Sequence, residues 1–155
     1  MAPTPTLSQP TASDSQIVEL PLGVSYGLIP EHQPRPKIAF LFSGQGAQYL
    51  DMGRQLYERE PVFRAIMERC DVVWQASNRR SLIELLYPQT PPNHNDLLES
   101  HPCGQAANFA LECALVELWR SWGIQPDFVL GHSLGDIADA YTAGVLSLEE
   151  GLRLV

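Results

Sequence analysis

Five residues, Gly131-His132-Ser133-Leu134-Gly135, have the types and spacing for covalent chemistry at a carbonyl. A serine hydroxyl becomes a usable nucleophile when a sharp turn lifts it clear of a sheet edge. Glycine on either side lets the backbone make that turn, because no side chain is there to collide. The helix that follows would aim its first amides, and the positive end of its dipole, at the point where an oxyanion forms. An ordinary turn serine is the plain alternative, and the flanking sequence must separate the two.

The flanks predict a strand and a helix. Phe128-Val129-Leu130 is a short apolar run that reads as a buried strand entering the turn. Beyond Ser133, Leu134, Ile137, Ala138, Tyr141 and Val145 share one helical face. Asp136 and Asp139 lie near the start of that helix and read as a solvated face suited to its dipole. An earlier strand is expected at Lys37-Ile38-Ala39-Phe40-Leu41-Phe42, continuously apolar after Lys37, as in a strand covered on both faces. It runs into Ser43-Gly44-Gln45-Gly46-Ala47-Gln48, where glycines permit a tight turn or a close backbone approach. Nucleotide readings of this loop are weak. No Gly-Lys-Ser/Thr follows, and Tyr49 stands where a dinucleotide fingerprint needs its third glycine.

Helices fill the interval. Pro61 suits a first helical turn, and Phe63, Ile66, Met67, Cys70, Val73 and Trp74 recur at spacings of three and four. Ser81 and Glu84 have capping-box spacing before a short helix ending near Pro88. Thr90 to Asn95 reads as loop. Pro102 to Trp122 is a long helix. Ala106, Phe109, Ala110, Cys113, Val116 and Trp119 cover one side, and Ala107, Leu111, Ala114, Leu115 and Leu118 cover much of the rest. Only Asn108, Glu112, Glu117 and Arg120 interrupt it, so it should be buried on two sides until Gly123 ends it. Ser147 and Glu150 make a second capping box for a helix carrying Leu148, Leu152 and Val155. That helix stops about two turns in, which suggests a chain cut off inside a domain. Two apolar strands separated by helices predict an α/β fold, a parallel sheet with flanking helices.

Composition bounds the rest. Met1 to Pro36 is rich in Pro, Ser, Thr and Gln and reads as disordered linker, with an apolar island from Ile17 to Leu22 able to form one short strand. Residues 37–155 form the domain. A net charge of -8 argues against nucleic acid and against an anionic membrane surface. No apolar run is long enough to span a bilayer. Cys70, Cys103 and Cys113 show no paired spacing, which suits reduced thiols and a cytoplasmic protein. His32, His94 and His101 are scattered without metal-ligand spacing, so no metal is expected.

The residues also carry a family resemblance. Phe40 to Gln48 resembles the first signature of malonyl-CoA:acyl-carrier-protein transacylases and of polyketide synthase acyltransferase domains; Gly131 to Gly135 resembles the second. Between them, Gln105-Ala106-Ala107-Asn108-Phe109 resembles the Gln-Pro-Ala-Leu-Phe helix start of that family. Trp119 to Ile124 and Ala143 to Leu146 are similar to further family stretches. The likeness runs from about Lys37 to Val155 and implies the N-terminal part of an α/β-hydrolase-like acyltransferase core.

What the resemblance implies is ping-pong acyl transfer in polyketide or fatty-acid assembly. Ser133 would take an acyl group from a coenzyme A thioester, a substrate and not a bound cofactor. It would pass that group to the phosphopantetheine thiol of an acyl carrier protein, beside other synthase domains. The backbone amides of Gln45 and Leu134 would hold the oxyanion. Gln105 and His132 would lie beside the substrate; for Gln105 helix capping, and for His132 packing against the turn, are the plainer alternatives. Leucine at 134 leans toward malonyl. Asp136 replaces the family's usual glutamate, and Asp139 falls where small residues are usual. The family's base histidine and carboxylate-pairing arginine match nothing after Ser133, where no histidine occurs and Arg153 sits in no matching motif. The chain alone is therefore expected to be inactive. Two other classes stand beside this reading: a carrier or synthase docking module without chemistry, and an α/β-hydrolase esterase.

Overall fold

A computed structural model describes residues 18–19, 25–26, 34–89 and 101–155. It divides into two units, Met1–Pro36 and Lys37–Val155. In the first, β1 (Val18–Glu19) pairs antiparallel with β2 (Ser25–Tyr26), Val18 opposite Tyr26. The linker expected over Met1 to Pro36 falls mostly outside the described residues, and so does the loop expected from Thr90 to Asn95.

The second unit is built on one parallel pair. β3 (Ala39–Phe42) lies beside β4 (Phe128–Gly131), with Ala39 opposite Phe128 and Phe42 opposite Gly131. Asp127 fastens its start: its carboxylate accepts from the Ile38 amide at 2.9 Å and from the Lys37 ammonium at 3.2 Å. Among the described residues the helices are α1 (Arg54–Arg59), α2 (Pro61–Asn78), α3 (Leu82–Leu86), α4 (His101–Ser121), α5 (Gly135–Thr142) and α6 (Leu148–Leu154). Both capping boxes leave a trace in the structure. The Ser81 hydroxyl accepts from the Glu84 amide, and Ser147 and Glu150 bond reciprocally at the start of α6. Among the described residues no helix is long and apolar enough to cross a membrane.

The core lies between α2, α4, α5 and α6. Phe63, Met67, Cys70 and Trp74 of α2 meet Phe109, Ala110, Cys113 and Ala114 of α4, while Leu148 and Leu152 of α6 close the far side. Burial pushes the Cys70 thiol up to about 12, so it packs as an inert hydrophobe. The six-residue α1 had no sequence signal, being too short to display a period; Asp51 and Gly53, both at positive φ, turn the chain into it.

Three expectations need correction. Among the described residues the strands are covered on one face only: Phe40, Phe42 and Val129 turn into the core, while Leu41, Phe128 and Leu130 are exposed. The described helices supply one layer of cover, and continuous apolarity does not say how many there are. Trp119 is exposed and stacks edge-on with the exposed Trp122 at a ring separation of 5.3 Å. Val145 is not on the face of α5, because that helix ends at Thr142. Gly144 takes φ +77°, its amide bonds to the Tyr141 carbonyl and the Val145 amide to the Ala140 carbonyl, a Schellman stop that turns Val145 outward.

Candidate active site

Ser133 sits between β4 and α5 with φ +57°, a left-handed conformation that few residues other than glycine adopt. The turn closes because both flanking residues lack a side chain. A Cβ on Gly131 would stand 2.3 Å from the Asp136 nitrogen, and one on Gly135 would stand 2.5 Å from the Phe42 carbonyl oxygen. The His132 amide bonds to the Phe42 carbonyl at 3.2 Å, which extends the strand pairing into the turn. Strain of this kind, held by its surroundings, is what raises the serine hydroxyl off the sheet. Ser133 is exposed, Leu134 has its side chain buried, and the Leu134 amide has no hydrogen-bond partner among the described residues.

The glycine loop after β3 lies directly against this turn. A Cβ on Gly44 would stand 2.8 Å from His132 Nδ1 and 3.0 Å from its carbonyl oxygen. His132 therefore packs on Gly44. Close approach favours glycine at 44. At Gly46 it is the backbone angle, φ +106° in open space, that favours glycine.

Sequence reasoning missed what holds the loop. Gln105, Asn108 and Glu112 follow one stripe of α4, at spacings of three and four, and all three reach it. Gln105 Nε2 donates to Gln45 Oε1 at 3.2 Å. Asn108 Nδ2 donates to the Gly44 carbonyl at 3.2 Å and approaches Ser43 Oγ at 3.4 Å. Glu112 Oε1 accepts from both the amide and the hydroxyl of Ser43, each at 2.8 Å. Burial raises the Glu112 carboxyl above its ordinary value, and the two Ser43 bonds pull it part of the way back. The signal was present as polar residues interrupting a buried helix at one helical period.

Asp139 also differs from expectation. It does not lie on a solvated face: its Oδ2 accepts from the Gly131 amide at 2.9 Å and ties α5 to the last residue of β4. Asp136 is exposed, as expected of a dipole-favouring residue. Further along, Glu117 accepts from Arg120 at 2.7 Å and from the Tyr141 hydroxyl at 2.8 Å, and Arg120 donates to the Thr142 carbonyl at 2.6 Å. These bonds fasten the far end of α5 to α4. No group of His, Cys, Asp and Glu among the described residues could hold a metal ion.

A family model described as an acyl transferase domain matches residues 39–155. The chain belongs to the acyl transferase domain family. Orsellinic acid synthase armB of Armillaria mellea is 41% identical over 119 residues, 77% of this chain and 5% of that protein. The acyl transferase domain of ZmaA matches at a TM-score of 0.76 and 38% identity, over 84% of this chain and 30% of that one. PlMCAT:AntF (holo), a type II PKS acyl-carrier protein in complex with its malonyl-transacylase, matches at a TM-score of 0.67 and 28% identity, over 77% and 36%. The chain thus spans a small part of the relatives it matches. Its parallel sheet and helices form part of the acyltransferase fold, and the Ser133 turn and the glycine loop lie within the matched residues.

Proposed function

We propose that this chain contributes the nucleophile of an acyltransferase that moves a malonyl-type group from coenzyme A to an acyl carrier protein. One observation carries the reading: Ser133 stands at φ +57° in a glycine-flanked turn with the Gly44–Gly46 loop pressed against it. The hydroxyl oxygen attacks the thioester carbonyl and its proton passes to a base. The oxyanion rests on the amides of Leu134 and Gln45, and the coenzyme A thiol leaves with a proton, so that an ester remains on Ser133. The carrier's phosphopantetheine thiol then attacks that ester by the same steps in reverse. Similarity to a malonyl-transacylase solved with its carrier protein supports the partner; Leu134 supports the malonyl preference through the resemblance alone.

Within residues 1–155 no histidine follows Ser133 to take the proton. Residues 1–155 by themselves are therefore proposed to be inactive, since loss of the base from such a triad costs several orders of magnitude. The test uses the natural polypeptide that carries these residues. Incubation with labelled malonyl-CoA should leave one label, on the peptide containing Ser133, and adding holo carrier protein should discharge it. Labelling that survives in Ser133→Ala rules the reading out.

A further inference from the structure

The Gly44 carbonyl and the Gln45 amide belong to the same peptide unit. A trans peptide is planar, with its C=O and N–H pointing in opposite directions. Asn108 holds that carbonyl at 3.2 Å, so the Gln45 N–H is directed away from α4. The preceding residue is fixed as well, because Glu112 Oε1 takes both donors of Ser43 at 2.8 Å. Ser43 Oγ, which donates to Glu112, lies 3.4 Å from Asn108 Nδ2, so the three side chains form one network. Asn108 is 2% exposed and Glu112 8% exposed, and one Glu112 oxygen is buried without a partner. Burying a carboxylate and an amide beside Phe109 and Ala110 is costly. Apolar packing of α4 does not require either group.

We propose that Asn108 is a positioning residue for acyl transfer: it sets the direction of the Gln45 amide by holding the other end of its peptide. A second effect acts in the same sense. A hydrogen bond to a peptide carbonyl polarises the unit and makes its N–H a stronger donor, where an oxyanion must be stabilised. In the Gln-Pro-Ala-Leu-Phe pattern that this stretch resembles, position 108 holds leucine, which has no N–H to offer the carbonyl. The device therefore comes from this chain's own residue. It rests on the acyltransferase reading above.

The experiment replaces Asn108 with leucine in the natural polypeptide and measures the rate of Ser133 acylation, the KM for malonyl-CoA and the thermal transition. An oxyanion donor removed outright costs roughly a hundredfold or more. Misdirecting one should cost about tenfold in acylation rate, with KM within about threefold and a cooperative melt retained. The Gln45 amide nitrogen resonance should move as well, because its carbonyl partner is gone. An unchanged rate, or a loss carried entirely by KM, overturns the proposal. If Asn108→Leu does not fold, Asn108→Ala is measured in its place against the same outcomes. Failure of the wild-type protein to acylate Ser133 overturns the acyltransferase reading itself. A labelled wild type with equally fast variants overturns only the role of Asn108.

Discussion

The serine turn and the glycine loop face each other across the site and are held by opposite means. The turn is fixed by missing atoms: Gly131 and Gly135 leave room for Asp136 and Phe42, where any Cβ would collide with backbone. The loop is fixed by added atoms, the side chains of Gln105, Asn108 and Glu112, which reach it from a helix some 60 to 70 residues away in sequence. A turn made by sterics tolerates almost no substitution at its glycines. At the loop Gly44 is crowded against His132, but Gly46 is in open space, and the segment held by hydrogen bonds yields in increments.

That contrast can be broken by mutation. The largest expected effect is Gly135→Ala, which sets a methyl group against the Phe42 carbonyl; backbone cannot step aside cheaply, and the loss should be about 3 kcal/mol or more. Urea unfolding measures it, and a cost below about 1 kcal/mol would mean that the turn is not sterically determined. Next comes Asn108→Ala. It leaves the Gly44 carbonyl short of a partner and should cost about 1–3 kcal/mol by the same measurement. Gly46→Ala should cost only about 1 kcal/mol, because its positive φ is strained but the space around it is open. A larger loss there would show that the loop is as sterically tight as the turn.

The smallest effect is a trend with pH. The folded state raises the Glu112 carboxyl above its ordinary 4.5, so its neutral form is the better tolerated one. The native state then binds more protons than the unfolded state over the interval between the two values. The stability contributed by the neutral form is complete below about 4.5 and is lost as pH rises through the folded value. Glu112→Gln does not titrate. Its stability relative to wild type should therefore climb across that window and stay flat on either side, read from urea midpoints at a series of pH values.

The turn was legible in the sequence because its determinants are local. Gly131, Ser133 and Gly135 lie within one turn of chain, and the strand and helix around them have clear periods. The parallel pairing also followed, from two apolar runs separated by helices. What holds the glycine loop was not legible. Asn108 and Glu112 read as interruptions of a buried helix, since no local pattern says what a polar residue on such a helix will meet. Asp139 was misread for a related reason: an acidic residue in the first turns of a helix has a good local explanation, and its bond to Gly131 lies across the turn. Exposure of Leu41, Phe128 and Leu130 was hidden because alternation carries information about one covered face, and these strands have no alternation to show.

The bond from the Ile38 amide to Asp127 closes a span of 89 residues. Closing so long a span costs chain entropy before any contact repays it, and such pairings form late in folding. Helices α2 and α4 lie inside that span and can dock on each other first. A ribosome must release the whole of that interval before β4 has a partner, so the hydroxyl of Ser133 gains its elevated position only after those residues have been made. Pulse-labelled hydrogen exchange should accordingly show the amides of residues 110–118 protected before those of residues 129–132.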